Sequence, residues 1–329
     1  MRFIQVGVGG FGAQWLKTVQ ADQRASLVAL VDVDEPALKA ARKETGLPES
    51  ACFDDFETAF EQVDADAVLN VTPPHVHSEV AMAAFDQGLH VLTEKPLADN
   101  MEHARQMVEA ADDAGLTLMV SQNYRFCRWV KTVRHLLYED GYGPPDNIYV
   151  RFARSLQVQS WRLSMEHPLV VDMSIHHFDL MRAITEREPQ SAYALTWKPK
   201  WSWFEHHPCC MALFEFDDDI RVCYDASWVS RSRNTSWAGY WRIECEEATI
   251  EVRGEKVHMV DPQFPDEDAE IEMRGMESEG REYCLLEFQT AVQEERQPET
   301  SGRENLNSLA MVYAVLDSSD NSKRVLFEE

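Results

Sequence analysis

The sequence has no long apolar run and no excess of basic residues. No stretch reaches the roughly 18 consecutive apolar residues that a membrane helix needs. The first residues, MRFIQVGVGGFG, lead into glycines too soon for a signal peptide. Acidic residues outnumber basic ones 57 to 31, and the formal net charge is −26 at pH 7. Because phosphate contacts need basic surface, we expect a protein that binds neither nucleic acid nor a membrane.

Paired cysteines are missing as well. The seven cysteines are odd in number and scattered, and none of them forms a CxxC pair. This usage favours reduced thiols, which are typical of a cytoplasmic protein. The 329 residues are enough for two domains with cores of their own.

The first 32 residues have the pattern of a dinucleotide-binding unit. A short apolar strand at 2–8 runs into a GxGxxG turn, a helix is predicted from 13 to about 20, and a second apolar strand covers 27–32. Asp32 ends that strand 20 residues after Gly12, the spacing that such a unit requires. The turn residues that we predict to contact the cofactor are Gly7, Gly9, Gly10, Phe11 and Gly12.

Each glycine of the motif has its own role in this prediction. Gly7 permits the tight turn, Gly9 lets the backbone approach the pyrophosphate, and Gly12 lets the helix pack closely on the strand. The start of the helix offers free N–H groups to the anion. Asp32 accepts hydrogen bonds from the ribose hydroxyls and repels a 2′-phosphate, so NAD is predicted in preference to NADP.

Apolar strands and helices continue to alternate as far as residue 122. Such alternation predicts a doubly wound parallel sheet, the Rossmann arrangement, in which ligands bind at the carboxyl ends of the strands. Two polar segments follow predicted strands there, NVTPPHVH at 70–77 and TEKPLA at 93–98. The predicted strands are 66–71, 90–94 and 116–122, and the predicted helices are 77–88 and 101–115.

Four motifs in order make the sequence resemble the Gfo/Idh/MocA family, which includes glucose–fructose oxidoreductase and inositol dehydrogenases. They are Gly7, Gly9 and Gly12; Thr72-Pro73-Pro74-His75-Val76-His77; Glu94-Lys95-Pro96; and Asp172, His176 and Asp179. The resemblance covers essentially the whole chain. It implies a dinucleotide-binding Rossmann domain at 1–121 and an α+β domain for substrate binding and oligomerisation at 122–329.

The resemblance also assigns residues to the site. It makes Lys95 the catalytic lysine, places Glu94 against the nicotinamide ribose, and puts Asp172 and His176 in the active site. It adds Thr72, Pro73 and His77 to the cofactor-binding set. The sequence departs from the family at Glu166-His167-Pro168-Leu169 and at Ser174, where glycine is common, and this leaves the substrate open.

The residue types suit hydride transfer. Pro96 restricts the backbone of Lys95, and an ammonium group stabilises the negative charge that develops on a substrate oxygen. In the stretch DMSIHHFDL (172–180), Asp172 and His176 are four residues apart and are predicted to share one helix face. His176 can take the hydroxyl proton, and Asp172 can bind a neighbouring hydroxyl or tune the base. His177 points about 100° away and is left out of the catalytic set.

A metal site is the rival interpretation of this histidine-rich stretch. The run HHPCC at 206–210 adds two histidines and two cysteines. Neighbouring residues of a strand point to opposite faces, so these four side chains cannot converge easily on one ion. We predict no metal.

Residues from about 122 onward predict a large, mostly antiparallel sheet with several helices. Arg125, Trp161 and Arg162 are the candidates for substrate contact, although both arginines could equally form structural ion pairs. Tryptophans cluster in the same region, where they suit a sheet core or an interface as well as sugar stacking. The predicted strands are 146–154, 190–197, 210–216, 220–228, 239–245 and 248–254; the predicted helices are 128–140, 172–185, 281–295 and 303–318.

Three functions fit these features. The first is an oxidoreductase that moves a hydride between NAD and a secondary hydroxyl or carbonyl of a sugar, polyol or derivative. The second is a glycosidase that uses NAD for a transient oxidation, and the third is a non-catalytic NAD-binding regulator. Retention of the lysine, aspartate and histidine favours an enzyme over a regulator, and the broad sheet predicts a homodimer or homotetramer.

Overall fold

A computed structural model describes residues 1–155, 157 and 161–327, without the side chain of Trp161. The chain forms two compact units. The first consists of residues 1–123 and 278–306, and the second of residues 124–277 and those from 307 onward. The segment 278–306, which the sequence prediction assigns to the second domain, therefore groups with the first unit.

The first unit is built on a parallel sheet of six strands in the order β3-β2-β1-β4-β5-β6. The strands are β1 Arg2–Val6, β2 Ser26–Val31, β3 Cys52–Phe53, β4 Ala67–Asn70, β5 His90–Thr93 and β6 Leu118–Val120. The order reverses between β1 and β4, and this reversal creates a crevice at the carboxyl ends of the strands. The doubly wound parallel sheet predicted from the sequence is confirmed.

Helices connect these strands, and one returning segment completes the unit. Elements are numbered along the whole chain, and the helices of this unit are α1 Gly12–Ala21, α2 Glu35–Thr45, α3 Phe56–Gln62, α4 His77–Asp86, α5 Met101–Ala114 and α8 Gly280–Gln293. Helix α8 packs on the sheet, with the ring of Phe288 centred 6.0 Å from that of Phe3. Thr300, in the same returning segment, donates to the carbonyl oxygen of Val120 at 2.7 Å and so extends the edge at β6.

The second unit is built on a sheet of nine strands, in which the pair β7 and β10 is parallel and the other pairs are antiparallel. The strands are β7 Asn147–Ala153, β8 Pro189–Trp197, β9 Cys209–Phe216, β10 Arg221–Ser227, β11 Tyr240–Glu244, β12 Thr249–Arg253, β13 Lys256–Val260, β14 Asp268–Glu270 and β15 Val325–Leu326. Their order is β14-β13-β12-β11-β7-β10-β9-β8-β15. The large, mostly antiparallel sheet predicted from the sequence is confirmed.

Helices cover one face of this sheet. They include α6 Arg128–Tyr138 and α7 Ile175–Thr185, and α9 Gly302–Asn321 continues into this unit from the first. Phe178 of α7 packs edge-on against Phe214 and Tyr224, with ring centroids 5.2 and 5.3 Å away. The opposite face of β8 and β9 carries exposed apolar side chains. Among the described residues, no helix is both long and apolar enough to cross a membrane.

Candidate active site

The glycine turn of the first unit has the geometry that its sequence predicts. Gly7 has a φ of +86°, and a Cβ there would lie 2.5 Å from the carbonyl oxygen of Val71. A Cβ on Gly12 would lie 2.2 Å from the carbonyl oxygen of Gly7. At Gly9 a Cβ would meet only ordinary contacts, the nearest being 3.4 Å away at Ala37. Internal packing therefore requires glycine at the two outer positions, whereas the space around Gly9 would admit a side chain.

Asp32 lies at the carboxyl end of β2 and is fixed by the glycine turn. One carboxylate oxygen accepts the N–H groups of Val8 and Gly9 at 2.8 and 3.1 Å, and the other accepts the N–H of Asp34 at 2.9 Å. A carboxylate has about four lone-pair sites, so Asp32 keeps acceptor capacity for a ribose hydroxyl. Its position agrees with the predicted role.

Arg281 at the start of α8 is a cationic neighbour of the turn that the motifs do not reveal. Its guanidinium lies 4.9 Å from the centre of the exposed Phe11 ring. It also donates to Oε1 of Gln14 at 2.7 Å. A guanidinium beside a phosphate-binding turn suits an anionic ligand. Arg281 is 270 positions away from Phe11 in the sequence, so no local pattern could have identified it.

The segment 70–77 is held by its own side chains. Asn70 accepts the hydroxyl of Thr72 at 2.7 Å, and its amide donates to the carbonyl oxygen of His77 at 3.2 Å. The His77 ring is fully buried, with its nitrogens 2.9 Å from the carbonyl oxygen of Thr72 and 2.8 Å from that of Pro96. Burial lowers the pKa of His77. Both ring nitrogens join two loops, and the cofactor-binding role of His77 stays a prediction. Thr72 is partly buried and Pro73 is exposed.

Glu94 forms hydrogen bonds both with α1, the helix that follows the glycine turn, and with the backbone of Lys95. Its Oε1 accepts the indole N–H of Trp15 at 2.7 Å, and its Oε2 accepts the N–H of Lys95 at 3.1 Å. Both Trp15 and Glu94 are buried, and this burial raises the pKa of Glu94. These contacts give Glu94 a positioning role, and its contact with the nicotinamide ribose stays a prediction. Lys95 itself is partly exposed at the end of β5.

In the second unit, the stretch 172–180 departs from a regular α-helix. Residues Val170–Ser174 form a π-helical turn, and α7 begins only at Ile175. The predicted i to i+4 relation between Asp172 and His176 therefore spans a change of helix type, and simple α-helical spacing does not describe it. Single π turns inside helices are frequent at functional sites.

His176 and Asp172 both have side-chain neighbours that are distant in sequence. The His176 ring is 7% exposed and stacks on Tyr124, with centroids 4.3 Å apart and planes inclined by 13°. Asp172 accepts Nε–H of Arg162 at 2.6 Å. Arg162 thus forms an ion pair, the structural alternative that the sequence left open for it. Its partner, Asp172, is a residue predicted for the active site. The side chain of Trp161 lies outside the described residues.

Arg125 belongs to a buried ion pair. It donates to the two carboxylate oxygens of Asp179 at 2.7 and 3.0 Å, and Ser308 donates to the same carboxylate at 2.9 Å. This pair is the structural alternative that the sequence left open for Arg125, and its substrate contact stays a prediction. A bidentate arginine–carboxylate pair with its lone pairs satisfied fixes α7 from within.

The side chain of His177 has different neighbours from that of His176. It is fully buried, with Nδ1 2.8 Å from the hydroxyl of Tyr224 and Nε2 3.0 Å from the carbonyl oxygen of Trp237. Burial lowers the pKa of His177 to about 4, so the ring stays neutral at pH 7. These contacts agree with leaving His177 out of the catalytic set.

The side chains of residues 206–210 do not converge on a common point where they could bind a metal ion. Cys209 and Cys210 are buried thiols of β9, whereas His206 and His207 are exposed. Burial raises the pKa of both cysteines. Across the part of the chain that the structure describes, no three histidine, cysteine, aspartate or glutamate side chains are grouped to hold a metal ion.

Comparison with known proteins matches both units to one family. Residues 1–122 match the oxidoreductase family model GFO_IDH_MocA, with an NAD-binding Rossmann fold, and residues 130–259 match the GFO/IDH/MocA C-terminal domain. An uncharacterized protein of Sinorhizobium fredii is 30% identical over 96% of this chain and 93% of its own length. The 1,5-anhydro-D-fructose reductase of Ensifer adhaerens is 24% identical over 95% of each chain.

Solved structures share the fold at lower identity. An oxidoreductase from Agrobacterium radiobacter in complex with NAD+, L-tartaric acid and magnesium has a TM-score of 0.90 and 19% identity, and covers 99% of this chain and 98% of its own. Aldose-aldose oxidoreductase from Caulobacter crescentus, complexed with glycerol, has a TM-score of 0.87 and 18% identity over 99% of both chains. Two family models in order and a relative aligned along nearly the whole length lead to one conclusion: the chain belongs to the GFO/IDH/MocA oxidoreductase family.

Proposed function

We propose that this oxidoreductase is an NAD-dependent dehydrogenase that interconverts a secondary hydroxyl and a carbonyl of a sugar, polyol or derivative. One observation carries the proposal: Glu94 ties the backbone of Lys95 to Trp15 in the helix that begins at the glycine turn. The lysine expected to act on substrate is thus fixed to the element expected to hold the cofactor. Relatives named as 1,5-anhydro-D-fructose reductase and myo-inositol 2-dehydrogenase support the substrate class.

The residues of the first unit fit NAD. The turn is exposed at Gly10, where a Cβ would meet nothing within 4 Å and a pyrophosphate has room to approach, and Arg281 supplies a cation beside the turn. Asp32 supplies carboxylate oxygens at the end of β2, where a 2′-phosphate would be repelled. When bound, NAD supplies the hydride acceptor for alcohol oxidation. We further propose that residues 1–121 form the cofactor-binding domain, to which the segment 278–306 adds Arg281, and that the remainder of 122–329 serves substrate binding and oligomerisation.

The remaining chemistry belongs to two side chains. Lys95 stabilises negative charge on the reacting oxygen, and His176 takes the hydroxyl proton during oxidation and returns it during reduction. Asp172 is held by Arg162 and accepts a hydrogen bond from a neighbouring hydroxyl of the substrate. Because Tyr124 stacks on the His176 ring, it holds that ring in one orientation.

The proposed assembly is a homodimer or homotetramer that uses the second sheet. Four apolar side chains on the uncovered face of β8 and β9 are between 42 and 58% exposed, and they oppose each other across the two strands. They are Tyr193, Leu195, Met211 and Leu213. A contiguous apolar patch of this kind is typical of an interface. Light scattering is expected to give a mass that is a multiple of 37.8 kDa, and Leu213→Glu is expected to lower it.

The function is tested by screening sugars and polyols with NAD and with NADP while absorbance of the reduced nicotinamide is followed. We expect at least one compound to yield NADH, with kcat/KM higher for NAD than for NADP. Equal or better use of NADP would contradict the role of Asp32. Cleavage of a glycoside without net NADH, by protein that retains NAD tightly, would favour the glycosidase, and loss of activity to a chelator would favour a metal site.

A further inference from the structure

The first unit has a second concave site at the edge of its sheet that faces away from the glycine turn. Asp66 directly precedes β4, His90 is the first residue of β5, and Arg24 lies two residues before β2. All three therefore lie at the amino ends of these parallel strands. Together with the last turns of α8 they line a cavity of about 660 Å³. A strand of five residues is roughly 15 Å long, so this cavity is separate from the carboxyl-edge site.

A buried amide lines this cavity without a hydrogen-bond partner. Gln289 of α8 is 7% exposed, and neither Oε1 nor Nε2 has a partner among the described residues. A buried polar group left unsatisfied costs about 1–3 kcal/mol, and native proteins leave few such groups. Both polar atoms are themselves buried, so a ligand reaches them once the side chain turns toward the cavity, where it offers one acceptor and two donors.

His90 adds a donor of defined position. Its Nδ1 accepts the N–H of Thr117 at 2.9 Å, so in the neutral ring the proton is on Nε2. Burial lowers the pKa of His90, which keeps the ring neutral at pH 7. His90 therefore acts as a hydrogen-bond donor without a charge.

The charged groups of the cavity wall are already paired. Arg24 forms an ion pair with Asp22 at 2.9 Å, and Asp66 forms one with Arg2 at 2.7 Å. The N-terminal ammonium of Met1, which also lines the cavity, donates to the carbonyl oxygen of Arg24 at 2.7 Å. The walls also contain apolar carbon from Leu286 and Val292. A ligand that suits this lining is uncharged, both donates and accepts hydrogen bonds, and has some apolar surface. Hydroxyl groups on a carbon ring or chain meet all three conditions.

We propose that this cavity binds a small uncharged polyhydroxy compound through the Gln289 amide and His90, at a site distinct from the one that carries the oxidoreductase chemistry. The cavity is within the size range of small-molecule sites, about 300–1,000 Å³. Helix α8 also connects this site with the glycine turn, because Arg281 at its start contacts Phe11 and Gln14.

The test uses the full-length protein and three probes: myo-inositol, D-glucose and glycerol. Crystals are soaked in each probe, and the thermal shift is titrated in solution for the parent, Gln289→Leu and Gln289→Met. Gln297→Leu is the matched control, because Gln297 is exposed and does not line the cavity. Stabilisation that all variants share comes from the carboxyl-edge site or from exclusion of the polyol from the protein surface, and the difference between parent and Gln289 variants comes from the cavity.

We expect density for at least one probe within hydrogen-bond distance of the Gln289 amide. We also expect its affinity to fall about tenfold or more in both Gln289 variants but not in Gln297→Leu, because two hydrogen bonds are lost. Turnover should stay at the parent level in all of them, so failure of this site is distinguishable from failure of the dehydrogenase. Density for ordered water alone at saturating probe, with identical titrations for parent and Gln289 variants, would overturn the proposal.

Discussion

Lys95 and His176 lie in segments that are held in opposite ways. Around Lys95, side chains bind backbone: Glu94 accepts the N–H of Lys95, and His77 contacts the carbonyl oxygen of Pro96. Around His176, side chains bind side chains from distant parts of the sequence, as in the stacking of Tyr124 on His176 and the pairing of Arg125 with Asp179. The first segment is thus fixed by bonds between its motifs and by one outside donor, Trp15, whereas the second depends on Tyr124 and Arg125, which no motif contains.

The largest expected effect is a loss of turnover on replacing Lys95 or His176, without a loss of NAD binding at the glycine turn. Lys95→Ala should lower turnover about 10²- to 10³-fold, and His176→Ala about 10²- to 10⁴-fold, while both keep nearly unchanged NAD affinity. Single-turnover hydride transfer and NAD titration measure the two quantities. Lys17→Ala, an exposed lysine of α1, is the control. Parent-like turnover in either active-site variant would remove that residue from the catalytic set.

His177→Ala should act on stability rather than on chemistry. Loss of the ring leaves a cavity, and it also removes the hydrogen-bond partner of the Tyr224 hydroxyl and of the Trp237 carbonyl oxygen. We expect the free energy of unfolding to fall by about 2–4 kcal/mol, with turnover per folded molecule much closer to the parent than in His176→Ala. Urea denaturation and active-site titration check this. A stable but inactive His177→Ala protein would reverse the assignment of the two histidines.

The same histidine predicts a pH dependence of stability. Because burial lowers the pKa of His177 to about 4 from an unfolded value of 6.5, the unfolded state binds more protons between these two values. The contribution of the neutral ring is therefore complete above pH 6.5 and is lost as the pH falls toward 4, a change of about 3 kcal/mol. His177→Gln should flatten the stability profile in this window relative to the parent. Parallel profiles for the two proteins would contradict it.

A smaller effect tests how firmly Lys95 is positioned. Trp15→Phe keeps an aromatic ring but removes the N–H that Glu94 accepts, at a cost of about 1–3 kcal/mol in stability. We expect kcat to fall with KM for NAD nearly constant, and the pH profile of kcat to shift, because the Glu94 carboxylate beside Lys95 loses its donor. Trp203→Phe, at a partly exposed tryptophan, is the control. An unchanged kcat and pH profile would make the Trp15 contact purely structural.

The sequence predicts the first unit better than the second for a physical reason. The glycine turn, Asp32 and the strands around them depend on neighbours within a few residues, and their predicted geometry agrees with the structure. The motifs gave residue types at the ends of β4 and β5 correctly, but they could not show that His77 and Glu94 are already bonded within the protein. Those contacts depend on Trp15 and on a second loop.

In the second unit, the strands and helices were predictable from apolar patterns, whereas the side-chain partners were not. Residues 170–174 form a π turn that a 3.6-residue period does not anticipate. Arg125 finds Asp179 across 54 positions of sequence, and either alternative for such an arginine fits the sequence equally well. Elements β14 and β15 have only three and two residues, too few to give an apolar pattern. The prediction also missed β13, although its sequence KVHMV contains three apolar residues.

The returning segment 278–306 has a consequence for how the chain reaches its native state during synthesis. Phe3 in the first strand needs Phe288 as its packing partner, and Val120 at the sheet edge needs Thr300. A ribosome that has released only residues 1–122 has therefore produced the motifs of the cofactor domain without the helix that covers its apolar surface. The nascent domain must wait for some 170 further residues before it closes, and during that interval its uncovered sheet is a surface for chaperones to bind.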